Sequence, residues 1–149
     1  MSVVPIQIAL AAEAAMNIYG VVSIWADPGS MLVLLLPEST PHTAAMKSQV
    51  HWVAALTLGV TLPILLCIPD HPDQTVARRN LYITFGGFEA CMVGTALIHY
   101  IQGNSGFTDN GLLGTIAVFG FFTSVRIFFL YVKPTWLQAR GTSSKAKTT

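Results

Sequence analysis

Charge is what this sequence has least of. Only 10% of its 149 residues are Asp, Glu, Lys or Arg, while 52% are hydrophobic. A soluble domain carries about 25% charged residues. With a mean hydropathy of +0.58, the chain is expected to sit in lipid. The net charge is +1, so no broad positive field recommends a nucleic-acid partner. Cysteine is nearly absent. Cys67 and Cys91 lie in apolar runs, and no C-x-x-C or Cys/His spacing points to zinc. Both read as buried thiols outside any disulfide. A Gly-rich phosphate loop and a serine nucleophile motif are also missing, which leaves phosphoryl and hydride transfer unsupported. The N-terminal stretch MSVVPIQIALAAEAAMNIYG has no basic n-region and carries Glu13 and Asn17, which argues against a cleavable signal peptide.

What the chain does have is long apolar runs. A helix needs about 20 mostly apolar residues to cross the hydrocarbon core. Four segments meet that length: Pro5 to Trp25, Ser48 to Ile68, Arg79 to Ile101 and Leu112 to Val132. Pro63 is expected to bend the second. MLVLLLP, residues 31–37, is too short to span and should lie at the interface or under the bundle. Strands are disfavoured, because an open sheet edge cannot be satisfied in lipid. ADPGS, PESTPH, PDHPDQ and QGNSGFTDNG supply the breaks. The expected fold is an all-α, integral membrane four-helix bundle over residues 1–134. Residues 135–149 form a polar, disordered cytoplasmic tail.

Basic residues set the expected orientation. Arg78, Arg79, Lys133, Arg140, Lys145 and Lys147 share one side; only Lys47 lies opposite, with Asp27, Glu38 and Asp109. Both termini are therefore expected in the cytoplasm, with the endoplasmic reticulum as the host membrane. Trp25, Trp52 and Trp136 fall near span ends and suit interfacial anchoring.

Three ionisable residues interrupt the spans: Glu13, Glu89 and Arg126. At the centre of a span an ionisable side chain costs about 2.5–3.5 kcal/mol on insertion scales, so such groups face the bundle interior and pair there. A rise of about 1.5 Å per residue puts Glu13 about 12 Å, Glu89 about 16 Å and Arg126 about 10 Å from the cytoplasmic ends of their helices. All three thus fall in one layer. Helical spacing adds Asn17 to the face of Glu13, Arg78, Tyr82 and Phe85 to that of Glu89, and Phe119 and Phe122 to that of Arg126. The result is a small-molecule site with an aromatic wall and a few convergent polar groups. Lys47, Gln49, His51 and Trp52 on the second span, with His99 ending the third, mark either the mouth of that cavity or the membrane interface.

Two carboxylates beside one guanidinium suit acid–base chemistry, with one acid ionised against Arg126 and the other holding a proton. Depth favours Glu89 as the acid, leaving Glu13, beside Asn17, to orient and deprotonate the nucleophile. No metal or redox cofactor is implied. The expected partners are a lipophilic substrate and membrane lipid; the glycine-bearing faces FGGFEACMVG and GLLGTIAVFG suit either a second copy in a homodimer or packing within one bundle. A structural ion pair, a lipid-binding accessory role and a small proton-coupled transporter are the competing readings.

The stretches EAAMNIYG, ARRNLYITFGGFE and RIFFLYVKP, set in this four-span layout, resemble the small fungal membrane epoxide hydrolases or cyclases of polyene-pyrone polyketide pathways, the aurovertin and citreoviridin type. The resemblance implies opening of a polyketide epoxide by water or an internal hydroxyl. Fungal meroterpenoid cyclases are longer with more spans, and DoxX-like four-helix proteins share the outline.

Overall fold

The computed structural model describes residues 5–71, 73–103 and 105–139. The architecture is all-α. It comprises α1 (Pro5–Ala26), α2 (Pro28–Leu35), α3 (Ala44–Leu66), α4 (Gln74–Gln102) and α5 (Asp109–Ile127). A π-helical turn (Phe128–Val132) and a 3-10 turn (Pro134–Leu137) follow. α1, α3, α4 and the continuous stretch Asp109–Val132 are each long and apolar enough to cross a membrane.

Three of these helices begin earlier than hydropathy alone places them, at Ala44, Gln74 and Asp109. Their polar first turns do not count toward an apolar span, yet local chemistry starts the helix there. Thr43 caps α3 by accepting from Met46 N at 3.3 Å, and Thr108 caps α5 by accepting from Gly111 N at 3.0 Å. Gly103, at φ 66°, ends α4 in the left-handed region. Pro63 lies inside α3 and cannot donate to the turn before it; the helix continues only to Leu66.

The short run at residues 31–37 becomes α2, tucked against α1, α3 and α5. Asp27 caps it through Gly29 N at 2.9 Å. Its C-terminal carbonyls meet the start of α5: Thr108 N donates to Leu35 O at 2.8 Å and Thr108 Oγ1 to Leu34 O at 3.2 Å. Glycine is required at 111, because an added Cβ would lie 2.9 Å from Leu34 O.

Large apolar side chains face outward, while several charged and polar ones are buried beside an apolar core. Leu56 is 69% and Ile101 74% exposed, whereas Glu13, Thr61, Arg78, Glu89 and Arg126 are buried. Water would penalise that arrangement; a bilayer favours it, since acyl chains solvate leucine and the interior must satisfy the charges.

Packing divides the spans into two pairs, α1 with α3 and α4 with α5. Between the pairs the backbones stand further apart, and side chains carry the contact. At one end they meet through a core of Ile6, Leu10, Ile64, Cys67, Leu81, Tyr82, Phe129 and Leu137. Residues 135–139 belong to this end rather than to a free tail. Leu137 and Ala139 are buried, and Ala139 N donates to Thr75 Oγ1 at 3.0 Å. The remainder of the expected tail, with Arg140, Lys145 and Lys147, lies outside the described residues. Cys67 is buried, but Cys91, expected to be buried as well, is exposed on α4, where an apolar side chain can face lipid; both thiols are free.

Candidate functional site

Each charged residue is delivered by a different helix. Glu13 sits midway along α1, Glu89 midway along α4, and Arg126 in the last turn of α5. Gly86 shapes the approach of the arginine: a Cβ there would lie 3.6 Å from Arg126 Cδ, so the stem of Arg126 lies directly over the glycine. Gly87 has open space beside it. Of the two glycines in FGGFE, only the first packs against α5.

Arg126 holds Glu89 with two bonds, Nε to Oε2 at 2.8 Å and Nη2 to Oε1 at 2.6 Å. Nη2 also donates to Glu13 Oε1 at 2.6 Å. A guanidinium offers donors in a planar fork, and this one divides them between two carboxylates. Tyr82 and Phe85 cover it; its carbon lies 5.0 Å and 5.2 Å from their ring centroids. The cation is thus paired in its plane and faced by aromatic rings, the means by which a buried charge is compensated in low dielectric.

The two acids are not equivalent. Glu89 spends both oxygens on Arg126. Glu13 commits Oε1 alone and lines a cavity of about 200 Å³ with Met16, Tyr82, Phe121, Phe122 and Arg126. Met16 and Phe121 are exposed, so this cavity opens sideways between α1 and α5, where acyl chains would lie. On the other side of the bundle a groove of about 480 Å³ runs between α3 and α4, lined by Leu66, Cys67, Leu81 and Phe85 among others.

The structure brings Glu13, Glu89, Arg126, Tyr82 and Phe122 to one place. Phe85 touches the guanidinium from the groove side. Asn17 is drawn elsewhere: its Nδ2 donates to Thr61 Oγ1 at 3.1 Å, tying α1 to α3. Phe119 packs edge-on against Phe88, centroids 6.3 Å apart, and does not line the cavity. His51 and Trp52 do not reach it either. They lie on α3, across the bundle from the opening, and Trp52 is 73% exposed. That exposure suits the interfacial role open to it.

Two further polar residues are buried, and one of them, Thr61, escapes the sequence argument. Thr61 donates to Thr57 O at 2.7 Å within its own helix while accepting from Asn17. Arg78, which by position is an interfacial charge and by helical spacing shares the face of Glu89, is fully buried. Its Nε donates to Cys67 O at 2.9 Å, and Nη2 to Ile68 O at 3.2 Å and Pro69 O at 2.9 Å. These carbonyls lie at the cap of α3 and in the connection after it, and Ile68 O also accepts from Gln7 Nε2 at 2.9 Å.

Compared with known proteins, the chain matches no family model, no curated protein and no solved structure.

Proposed function

We propose that this protein is a membrane-embedded hydrolase or cyclase that opens an epoxide of a lipophilic polyketide or terpenoid by acid–base catalysis. The observation that carries this reading is the asymmetry of the two acids around Arg126. Hydrogen bonding supports the reverse of the assignment drawn from depth. Glu89, gripped at both oxygens, is the ionised counter-charge. Glu13, with one oxygen committed, is the acid that meets substrate. Two carboxylates against one guanidinium leave the cluster neutral when Glu13 carries a proton, the state a low-dielectric interior favours.

In this mechanism Glu13 gives its proton to the epoxide oxygen as the carbon–oxygen bond breaks, the bonding pair staying on oxygen. Water, or a hydroxyl of the same substrate, attacks the carbon, and the proton it sheds returns to the Glu13 carboxylate. Water yields a diol and an internal hydroxyl yields a cyclic ether. Arg126 and Glu89 hold the Glu13 carboxyl in place. The cavity is smaller than the roughly 300–1,000 Å³ of a drug-sized site, so it takes the reacting segment while the rest of a long substrate lies in the bilayer. We place the protein in the endoplasmic reticulum with both termini cytoplasmic, an orientation supported by Arg78, Arg79 and Lys133 at one end against Lys47 at the other.

The test is turnover in nanodiscs, using lipophilic epoxides in ¹⁸O-labelled water. Hydrolysis gives a diol carrying the label; cyclisation gives an unlabelled isomer. Glu13→Gln abolishes either product while the protein stays folded. A structural clasp is the second reading, favoured by the way Arg126 joins the two helix pairs. It would show no turnover by the folded wild type and a loss of stability in every variant of the cluster.

A further inference from the structure

The larger opening is not at the charged cluster. The groove of about 480 Å³ between the C-terminal half of α3 and the N-terminal half of α4 falls within the usual range for small-molecule sites. Three features give it the character of a lipid site. Its walls are apolar, formed by Pro63, Leu66, Leu81 and Phe85, and none of its lining residues is charged. Its polar residues, Gln74, Asn80 and Thr84, share α4 with Leu81 and Phe85. Gln74 Oε1 is buried without a hydrogen-bond partner. A buried acceptor left unpaired costs about 1–3 kcal/mol, so this carbonyl calls for a donor. Asn80 and Thr84 are exposed polar residues on a membrane-spanning helix, and the helix packing gives no account of them.

The direction of the groove matches a lipid monomer. α4 has 29 residues, about 43 Å of helix, against a hydrocarbon core of about 30 Å. Its first turn, with Gln74, therefore lies at the membrane interface. Phe85 lies about 16 Å further along, toward the middle of the bilayer, where its ring also covers Arg126. Arg78 is fully buried: Nε and Nη2 are held by the carbonyls of residues 67–69, and Nη1, which makes no hydrogen bond among the described residues, lies 3.7 Å from Asp70 Oδ1, so its charge is taken up outside the groove lining.

We infer that this groove binds an uncharged single-chain membrane lipid, whose headgroup hydroxyl donates to Gln74 and whose chain runs past Asn80 and Thr84 to Phe85. The inference rests on the groove alone and is independent of the epoxide reading; its test uses no turnover, so either can fail without the other.

The experiment uses the full chain in phosphatidylcholine nanodiscs with a photoreactive long-chain monoacylglycerol. Adducts are expected to concentrate on Leu66, Leu81 and Thr84. Unlabelled 1-monooleoylglycerol should displace the probe at least about tenfold better than oleate, whose carboxylate finds no cation there. Gln74→Leu should weaken displacement roughly three- to tenfold, the worth of one neutral hydrogen bond. Thr84→Trp, at an exposed position, should block labelling by filling the groove. Adducts spread evenly over the outward faces of α3, α4 and α5 would overturn the inference, as would equal competition by oleate. Both of those readouts come from the wild-type protein, so they stand even where a variant fails to fold.

Discussion

Glu13 and Glu89 accept hydrogen bonds from the same nitrogen, Nη2 of Arg126, each at 2.6 Å. That shared atom joins α1 to α4 through α5, across the seam where the helix pairs lack close backbone packing. The cluster therefore holds the fold together as well as presenting an acid, and its variants must be read on both axes.

Arg126→Ala strands two carboxylates in a low-dielectric interior. Removing one partner of a buried ion pair costs about 3–5 kcal/mol, and unfolding in mixed micelles should show a loss of that size. Replacing all three residues together, with Glu13→Gln, Glu89→Gln and Arg126→Met, removes the charges rather than orphaning them. Most of the stability should return in that triple variant, while turnover stays absent. A triple variant no more stable than Arg126→Ala would mean the helices need the charged bridge itself.

The single glutamine variants should separate. Glu13→Gln keeps an oxygen to accept from Nη2 and leaves the Glu89–Arg126 pair intact, so stability should change by no more than about 1 kcal/mol while turnover disappears. Glu89→Gln removes the counter-ion held by two bonds and should cost about 2–4 kcal/mol. Unfolding measurements that rank the two in the opposite order would reverse the assignment of acid and counter-charge.

Gly111 and Gly114 lie one turn apart and should respond differently to alanine. At 111 an added Cβ meets Leu34 O and Thr108 Oγ1 at 2.9 Å and Leu35 Cα at 3.1 Å, mostly rigid backbone. Gly111→Ala should therefore cost about 1–3 kcal/mol. At 114 nothing lies within 4 Å, and Gly114→Ala should be neutral or stabilise by about 0.5–1 kcal/mol. Thermal unfolding of the two variants in one detergent measures the contrast.

The spans were legible in the sequence because lipid imposes a length and forbids charge, and Glu13, Glu89 and Arg126 stood out against that background. The pairing of helices was not legible. Leu56 faces outward and Leu81 inward on equally apolar helices, and hydrophobicity separates inside from outside only where water is the solvent. Asn17 looked like part of the cavity because helical spacing put it on the face of Glu13. Its partner, Thr61, gave no signal, since a threonine in a helix ordinarily bonds its own backbone. For Arg78, spacing gives the inward face it shares with Glu89, but not its partners. A basic residue at a span end is by default an interfacial charge, and nothing local reveals that α3 ends with its carbonyls turned toward it.

The burial of Arg78 has a consequence at Cys67. Arg78 binds the carbonyls of Cys67, Ile68 and Pro69 and holds the α3–α4 connection against the core, where Cys67 is 5% exposed. Burial pushes the Cys67 thiol above its ordinary range, and the nearby guanidinium offsets this only in part. A thiol that is both occluded and reluctant to ionise alkylates slowly. In a Cys91→Ser background the wild-type loop should therefore resist a maleimide under native conditions. Arg78→Ala leaves the carbonyls of Cys67 and Pro69 without their donor, and Ile68 O with Gln7 Nε2 alone at 2.9 Å; the connection should loosen, so that labelling of Cys67 accelerates at least about tenfold, as expected when roughly 1.4 kcal/mol of local protection is lost. Arg78→Lys should give an intermediate rate, because a single ammonium cannot reproduce the fork that reaches three acceptors. Removing the charge alone would slow ionisation of the thiol, the opposite sign. Faster labelling thus reports release of the connection, and unchanged or slower labelling would show that Arg78 does not hold it.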